Sequence, residues 1–145
     1  MKRIPELRDL SEDHHYGLAL ARMARKAAAG AGGVSADDAW AEVAAKFEAE
    51  LEPHFRIEES IIVPALEHLG ESRLTQRLLD EHAMLRGFLV PGRDRTAAEL
   101  GQFGELLDRH IRFEERELFE VAQRKMGHDE LSRVAQACRA RQSET

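Results

Sequence analysis

The sequence predicts an all-α protein: an antiparallel up-down four-helix bundle with a short extra helix at its C-terminal end. Residues that favour helices dominate the 145-residue chain, and no segment alternates apolar and polar residues as a half-buried strand does. Four long helical segments are separated by breaks that contain glycine or proline. Short connections between long helices are typical of antiparallel bundles. The length suits one domain, so we expect residues 1–145 to form a single domain.

The first two predicted helices are separated by a glycine-rich run. The first covers about residues 11–29, with Ser11 as a suitable N-cap. The second covers about residues 35–69. Pro53 and Pro64 lie inside this second segment, and an internal proline removes a helix hydrogen bond. We therefore expect the second helix to kink at one or both prolines.

The remaining helices follow the same pattern. The third is predicted over about residues 71–90 and the fourth over about residues 96–126. A short amphipathic tail helix follows, with Leu131, Val134 and Cys138 on one face. Cys138 is the only cysteine, so the chain can form no intrachain disulfide or cysteine-ligated cluster, and we interpret it as a small apolar residue.

Composition excludes several classes of partner. The chain has 27 acidic and 21 basic residues and a formal charge of −6, without the basic surplus that a nucleic-acid-binding protein usually shows. The N-terminal residues lack the apolar run of a signal peptide. The longest strongly apolar stretch, residues 61–66, is too short to span a membrane. We expect a cytoplasmic protein that binds neither nucleic acid nor a membrane, and the sequence indicates no particular protein partner.

A repeated motif carries the chemistry. Of seven histidines, only two have a glutamate four residues later: His54 with Glu58, and His110 with Glu114. Their contexts also match, HFRIEE and HIRFEE. Residues four apart lie on the same helix face, so both side chains of a pair can reach one point in the centre of a bundle.

Both pairs lie on helix faces that are otherwise apolar. The flanking apolar residues are Phe47, Leu51, Ile61 and Ala65 on the second helix, and Phe103, Leu107, Leu118 and Val121 on the fourth. A buried carboxylate is costly unless it is paired or neutralised, and two divalent metal ions would neutralise two of them. Imidazole with carboxylate suits iron, although zinc or manganese could use the same donors. A single HxxxE is more often a solvated pair; two matched copies favour a metal site.

The third predicted helix adds His82. Leu85 and Leu89 lie on the same side of this helix, so we expect His82 to point inward as a ligand. His68 is too far along the second helix to share the site, and His128 follows a helix junction.

The first predicted helix offers two alternatives, His14 and His15. Adjacent helical residues diverge by about 100°, so both are not expected to bind the same site. His14 shares a helix face with Leu18 and two alanines. An acidic residue also precedes it, Asp13, just as Glu81 precedes His82 on the third predicted helix. His15 instead matches that histidine in having a leucine three residues later. The apolar face favours His14, and both residues remain candidates.

Two further glutamates directly follow the motif glutamates. Glu59 and Glu115 lie five residues after the motif histidines, which rotates them off the inner face. We interpret them as solvated groups or as groups that contact the ligands from outside.

Each of the four predicted long helices carries one group: a histidine, an HxxxE motif, a histidine and a second HxxxE motif, in this order. This order resembles that of the hemerythrin-like, HHE cation-binding family. The resemblance covers about residues 10–126. It implies a four-helix bundle that holds a non-haem di-iron centre bridged by carboxylates. Carried over by position, the metal ligands would be His14 (or His15), His54, Glu58, His82, His110 and Glu114.

One departure from the family pattern lies on the third helix. Oxygen-carrying hemerythrins have two histidines four residues apart there, whereas Leu78 and Arg86 flank His82 at that spacing. The resulting set of four histidines and two glutamates is more similar to the di-iron domain of bacterial iron–sulfur cluster repair proteins. Those proteins also carry a cysteine-bearing N-terminal region, which this sequence does not have.

The donor set and the resemblance together predict a protein with two iron ions that binds or senses a small molecule such as dioxygen, peroxide or nitric oxide. Two imidazoles, two bridging carboxylate oxygens and a solvent bridge would give each ion five ligands, which leaves one position of an octahedral ion open. The alternatives are a di-iron enzyme that acts on peroxide or nitric oxide, an iron-handling protein, and a metal-free helical interaction domain.

Overall fold

The computed structural model describes residues 2–143, and these residues form helices and connections with no strand among them. Five long helical segments follow one another: α1 is Pro5–Ala28, α2 spans residues 36–68, α3 is Ser72–Gly87, α4 spans residues 97–125 and α5 is His128–Ser143. The predicted all-α class is confirmed.

Helix α1 begins earlier than the sequence predicted. Its first residue is Pro5, where the missing backbone N–H costs no hydrogen bond because the first turn of a helix has no internal partner for it. The prediction of an N-cap at Ser11 is therefore wrong. Ser11 lies inside the helix, and its hydroxyl donates to a carboxylate oxygen of Glu115 at 2.8 Å.

Side-chain caps define the starts of α2 and α4. The Ser35 hydroxyl accepts a hydrogen bond from the backbone N–H of Asp38, and the Thr96 hydroxyl accepts one from Glu99. Gly70 ends the region of α2 with a φ of 82°, a left-handed conformation that costs glycine little because it has no Cβ.

The two prolines of α2 do not interrupt it. A π-helical turn lies just before each proline, at Phe47–Leu51 before Pro53 and at Glu58–Ile62 before Pro64. In a π turn the carbonyl of residue i accepts from the N–H of residue i+5. This wider spacing can pass over proline, whose backbone nitrogen has no hydrogen to donate. A third π turn, Glu114–Leu118, lies in α4 without a proline.

Helices α1 and α4 approach each other closely at glycines. A Cβ atom at Gly104 would lie 2.7 Å from the carbonyl oxygen of Ala21, and one at Gly17 would lie 2.7 Å from a methyl carbon of Ile111. At Gly104, where the neighbour is backbone, a larger residue would push the helices apart, so glycine allows the two helices that carry His14 and His110 to pack in direct contact.

The buried apolar side chains form two clusters. One includes Leu131, Val134 and Cys138 of α5, which packs against α1 and the middle of α2. The other includes Trp40 and Phe103. None of the helices in the described part of the chain is both long and apolar enough to cross a membrane.

Candidate metal centre

Six ionisable side chains are buried inside the helical core. They are His14, His54, Glu58, His82, His110 and Glu114, and each is at most 5% exposed. Thr75 is the one other buried polar side chain among residues 2–142. Buried charged groups need compensation by partners, so their gathering at one place requires an explanation.

The six residues form two overlapping groups that could each hold a cation. Position A consists of His14 and His54 with both glutamates, and position B consists of His82 and His110 with the same glutamates. Within each group the candidate ligand atoms lie within 4.8 Å of one another. The two glutamates are common to both positions.

The two carboxylate oxygens of Glu114 face different positions. Its Oε1 lies 2.8 Å from Nε2 of His14 and 3.4 Å from Nε2 of His54, in position A. Its Oε2 lies 2.8 Å from Nε2 of His110 and 3.6 Å from Nε2 of His82, in position B. The carboxylate therefore spans the two positions.

Glu58 has the same orientation on the opposite motif. Its Oε2 lies 3.1 Å from Nε2 of His54, and its Oε1 lies 3.2 Å from Nε2 of His82. Both glutamates thus present one oxygen to each position, as a carboxylate that bridges two cations would. The wide π turns Glu58–Ile62 and Glu114–Leu118 begin at these glutamates, and such turns are frequent at functional sites.

Four buried atoms of the cluster lack hydrogen-bond partners: Oε1 of Glu58, Nε2 of His82, Nε2 of His110 and Oε2 of Glu114. Nε2 of His82 lies 3.2 Å from Oε1 of Glu58, and Nε2 of His110 lies 2.8 Å from Oε2 of Glu114, but neither pair is aligned as a hydrogen bond. All four belong to position B. Buried polar atoms rarely remain without a partner, and four such atoms converging on one point fit a bound cation. The donor set therefore fits a metal ion.

The electrostatics of the cluster favour positive charge. Burial lowers the pKa of His82, but the carboxylates of Glu114, Glu58 and Glu59 outweigh it and raise this pKa to about 10. Burial raises the pKa of Glu114, but the neighbouring imidazoles, with His110 the strongest, hold it well below its usual range. The cluster thus attracts protons or metal cations, and a metal would have to displace protons from the imidazoles.

Every outward imidazole nitrogen of the cluster contacts a carboxylate. The four Nδ1···O pairs are His14 with Glu115 at 2.6 Å, His54 with Asp13 at 2.9 Å, His82 with Glu59 at 2.7 Å, and His110 with Glu81 at 2.7 Å. A carboxylate on Nδ1 fixes the orientation of the ring and directs Nε2 to the centre. We call these four carboxylates the outer carboxylates.

The outer carboxylates link helices α1–α4 in a closed ring. Asp13 of α1 contacts His54 of α2, Glu59 of α2 contacts His82 of α3, Glu81 of α3 contacts His110 of α4, and Glu115 of α4 contacts His14 of α1. Each outer carboxylate is the chain neighbour of a cluster residue. Neighbours on a helix point about 100° apart, so one faces the centre while the other reaches the next helix.

Sequence reasoning identified only part of this ring. Glu59 and Glu115 were expected either in solvent or against the ligands, and the structure places both against histidines. Asp13 and Glu81 were not assigned a contact. The signal for them was the acidic residue directly before the single histidine of α1 and of α3.

The structure brings together six of the seven candidate site residues. His14 joins the cluster, whereas His15 is exposed and lines a surface groove with Arg22 and Lys26. His68 and His128 are exposed and lie outside the cluster.

Comparison with known proteins identifies the family. Residues 6–122 match the family model described as Hemerythrin HHE cation binding domain, and this segment contains all six clustered residues. The comparisons with curated proteins and with solved structures each gave no match. The match covers most of the chain and coincides with a buried set of histidines and glutamates that can hold cations. The chain therefore belongs to the hemerythrin family of HHE cation-binding domains.

Proposed function

We propose that this protein is a non-haem di-iron protein in which α1–α4 form an antiparallel up-down bundle, and that it binds or senses dioxygen, peroxide or nitric oxide. One observation carries the proposal: Glu58 and Glu114 each direct one carboxylate oxygen to position A and the other to position B. Two shared carboxylates between two pairs of imidazoles are a donor set for two metal ions rather than one.

The number of donors supports small-molecule binding. Each position offers two imidazole nitrogens and two carboxylate oxygens, which is fewer than the six ligands of an octahedral ion. Iron bound there would supply a redox-active centre with free coordination positions. Zinc and manganese accept similar donors, so the choice of iron is part of the proposal.

The surroundings of the cluster limit what can reach it. Phe119 stacks on the His14 ring at 5.2 Å between centroids, and Phe55 stacks on the His82 ring at 3.8 Å. These rings cover one face of each imidazole, and all six candidate ligands are buried. The proposal therefore concerns molecules of a few atoms. The cytoplasmic location stays a prediction from the sequence.

The test is anaerobic reconstitution with ferrous iron, followed by measurement of the iron-to-chain ratio. We expect saturation at two iron ions per chain. Dioxygen, hydrogen peroxide and nitric oxide are then added separately, and we expect at least one of them to change the ultraviolet–visible spectrum. Saturation at one iron ion, or no response to any of the three, would contradict the proposal.

The same preparation separates binding from the alternative functions. Steady-state consumption of peroxide or nitric oxide would identify an enzyme. Rapid and complete transfer of iron to a weak chelator, without a spectral response to dioxygen, nitric oxide or peroxide, would identify an iron-handling protein. Stable binding with a reversible spectral change, and without turnover, is the result that we expect.

A further inference from the structure

An arginine holds each of the four outer carboxylates. Arg3 contacts Glu115 at 3.3 Å, Arg141 contacts Asp13 at 2.6 Å, Arg86 contacts Glu59 at 2.7 Å, and Arg77 contacts Glu81 at 3.1 Å. The cluster is thus surrounded by two layers: carboxylates on the histidines, then arginines on the carboxylates. Each arginine restricts a carboxylate that in turn orients an imidazole.

The arginines of the two positions come from different parts of the chain. Arg77 and Arg86 lie on α3 and serve the histidines of position B. Arg3 and Arg141 serve the histidines of position A, and both lie outside residues 6–122, the segment that matches the family. Position A therefore depends on residues that the family match does not include.

The contact of Arg141 is the more direct of these two. Its Nη1 lies 2.6 Å from Oδ2 of Asp13, and the same oxygen lies 2.9 Å from Nδ1 of His54. One carboxylate oxygen thus joins α5 to α1 and α1 to α2. Arg141 is carried by α5, which is anchored by Leu131, Val134 and Cys138 in the core.

This side of the cluster is also the more open one. The side chains of Asp13 and Glu115, which serve position A, are 30% and 32% exposed, against 25% and 14% for Glu59 and Glu81. Asp13 and Arg141 line a cavity of about 280 Å³. Without Arg141, the Asp13 carboxylate could turn into this space and leave the His54 ring unsupported.

We propose that Arg141 is a positioning residue of the metal centre, which acts through Asp13 on His54 and makes metal binding at position A dependent on the docked helix α5. Position B does not depend on α5, because its outer groups belong to α2 and α3. The inference rests on the proposed binding of two metal ions. Loss of an outer partner of a metal ligand typically weakens metal binding about 10- to 100-fold.

The experiment is a titration of the full-length protein with cobalt(II), whose visible absorption reports the ligand geometry. In Arg141→Gln we expect one of the two cobalt ions to bind about 10- to 100-fold more weakly, while the other is unchanged. Arg139→Gln is the matched control, since Arg139 is an exposed residue of the same helix. Arg141→Lys should recover part of the loss by restoring a cation beside Asp13.

The affected position can be assigned by combining variants. In a His14→Ala background, where position A is already damaged, Arg141→Gln should have little further effect. In a His110→Ala background, where position B is damaged, Arg141→Gln should weaken the remaining cobalt site. Asp13→Asn breaks the same connection without touching α5, and it should reproduce the selective loss even if Arg141→Gln destabilises the tail.

The outcomes separate this inference from the proposed function. Wild-type protein that binds fewer than two cobalt ions contradicts the two-metal proposal itself. If the wild-type protein binds two cobalt ions, the two-metal proposal stands. The role of Arg141 is then overturned if Arg141→Gln and Asp13→Asn weaken the binding of both cobalt ions equally, or of neither.

Discussion

Glu114 contacts the inward nitrogens of all four histidines in the cluster, whereas Glu58 contacts only two of them, although the two glutamates occupy matching places in the repeated motif. The two copies of the motif are therefore not equivalent. Glu114 is the side chain around which both histidine pairs are arranged.

This asymmetry predicts unequal effects of removing the two glutamates. We expect Glu114→Ala to lower the bound metal per chain more than Glu58→Ala, because it removes a contact from every histidine. Removing either glutamate should weaken metal binding more than the loss of a residue that only contacts a ligand, which typically costs about 10- to 100-fold in affinity. Metal analysis after gel filtration measures the effect, with the exposed Glu105→Ala as control. Equal metal content in the two variants would contradict the central role of Glu114.

The two adjacent histidines of α1 give a second prediction. His14→Ala should weaken metal binding strongly, because His14 is buried in position A. His15→Ala should leave metal binding nearly unchanged, because His15 is exposed outside the cluster. Isothermal titration of both variants with ferrous iron or cobalt(II) compares them, and the reverse ranking would contradict the placement of α1.

The close approach of α1 and α4 gives a third prediction. A Cβ at Gly104 would meet the Ala21 carbonyl oxygen at 2.7 Å, so Gly104→Ala should destabilise the protein by about 1–3 kcal/mol, as overpacking does. Gly101→Ala is a matched control on the same helix, since its Cβ would meet only the Cβ of Ala28, at 3.3 Å. The gain in helix propensity should offset this milder contact. Urea unfolding measures both, and equal stability of the two variants would argue against the close packing.

Cys138 provides a fourth prediction, on the docking of α5. Burial, the strongest influence, raises the pKa of its thiol to about 11 from an ordinary value of 9.0. Below pH 11 the folded protein therefore holds less of the reactive thiolate than a free cysteine does. Iodoacetamide at pH 8.5 should react slowly with the native protein and quickly after denaturation. Fast reaction of the native protein would mean that α5 is not stably docked.

Removal of metal gives a fifth prediction. EDTA should lower the melting temperature, because a cation that binds only the folded state stabilises it by a free energy that grows with the logarithm of its affinity. The far-ultraviolet circular dichroism should stay helical, because two apolar clusters are built without the metal ligands. An unchanged melting temperature, with metal-loaded protein as the reference, would favour a metal-free helical interaction domain.

Much of the candidate site could be predicted from sequence because the two residues of each HxxxE motif are close together in the chain. An HxxxE pair lies on one helix turn, so spacing alone places His54 beside Glu58 and His110 beside Glu114. The apolar face of α1 favoured His14 over His15, and the structure places His14 in the buried cluster. What spacing could not show was the pairing of Asp13 with His54 or of Glu81 with His110, because these contacts depend on which helices are neighbours.

Beyond the motifs, the predicted apolar stripes are buried at Ala65 and Leu118 but not at one position on each helix. Ile61 and Val121 were expected on the inner face, but both are only partly buried, and Ile62 and Ala122 are fully buried instead. The π turns that begin at the two motif glutamates explain the shift, since each accommodates one more residue than an α-helical turn. Periodicity at 3.6 residues per turn cannot reveal such an insertion.

The ring of contacts between the imidazoles and the outer carboxylates can be completed only late in the synthesis of this chain. Three of its links join residues 41, 23 and 29 positions apart, and they can form as the chain emerges during synthesis. The fourth joins His14 to Glu115 across 101 positions. The ring therefore closes only after Glu115 has been synthesised, and Arg141 reaches Asp13 later still. A nascent chain that ends before Glu114 and Glu115 would hold only part of the ligand set, so we expect full cation binding only after these two residues have been synthesised.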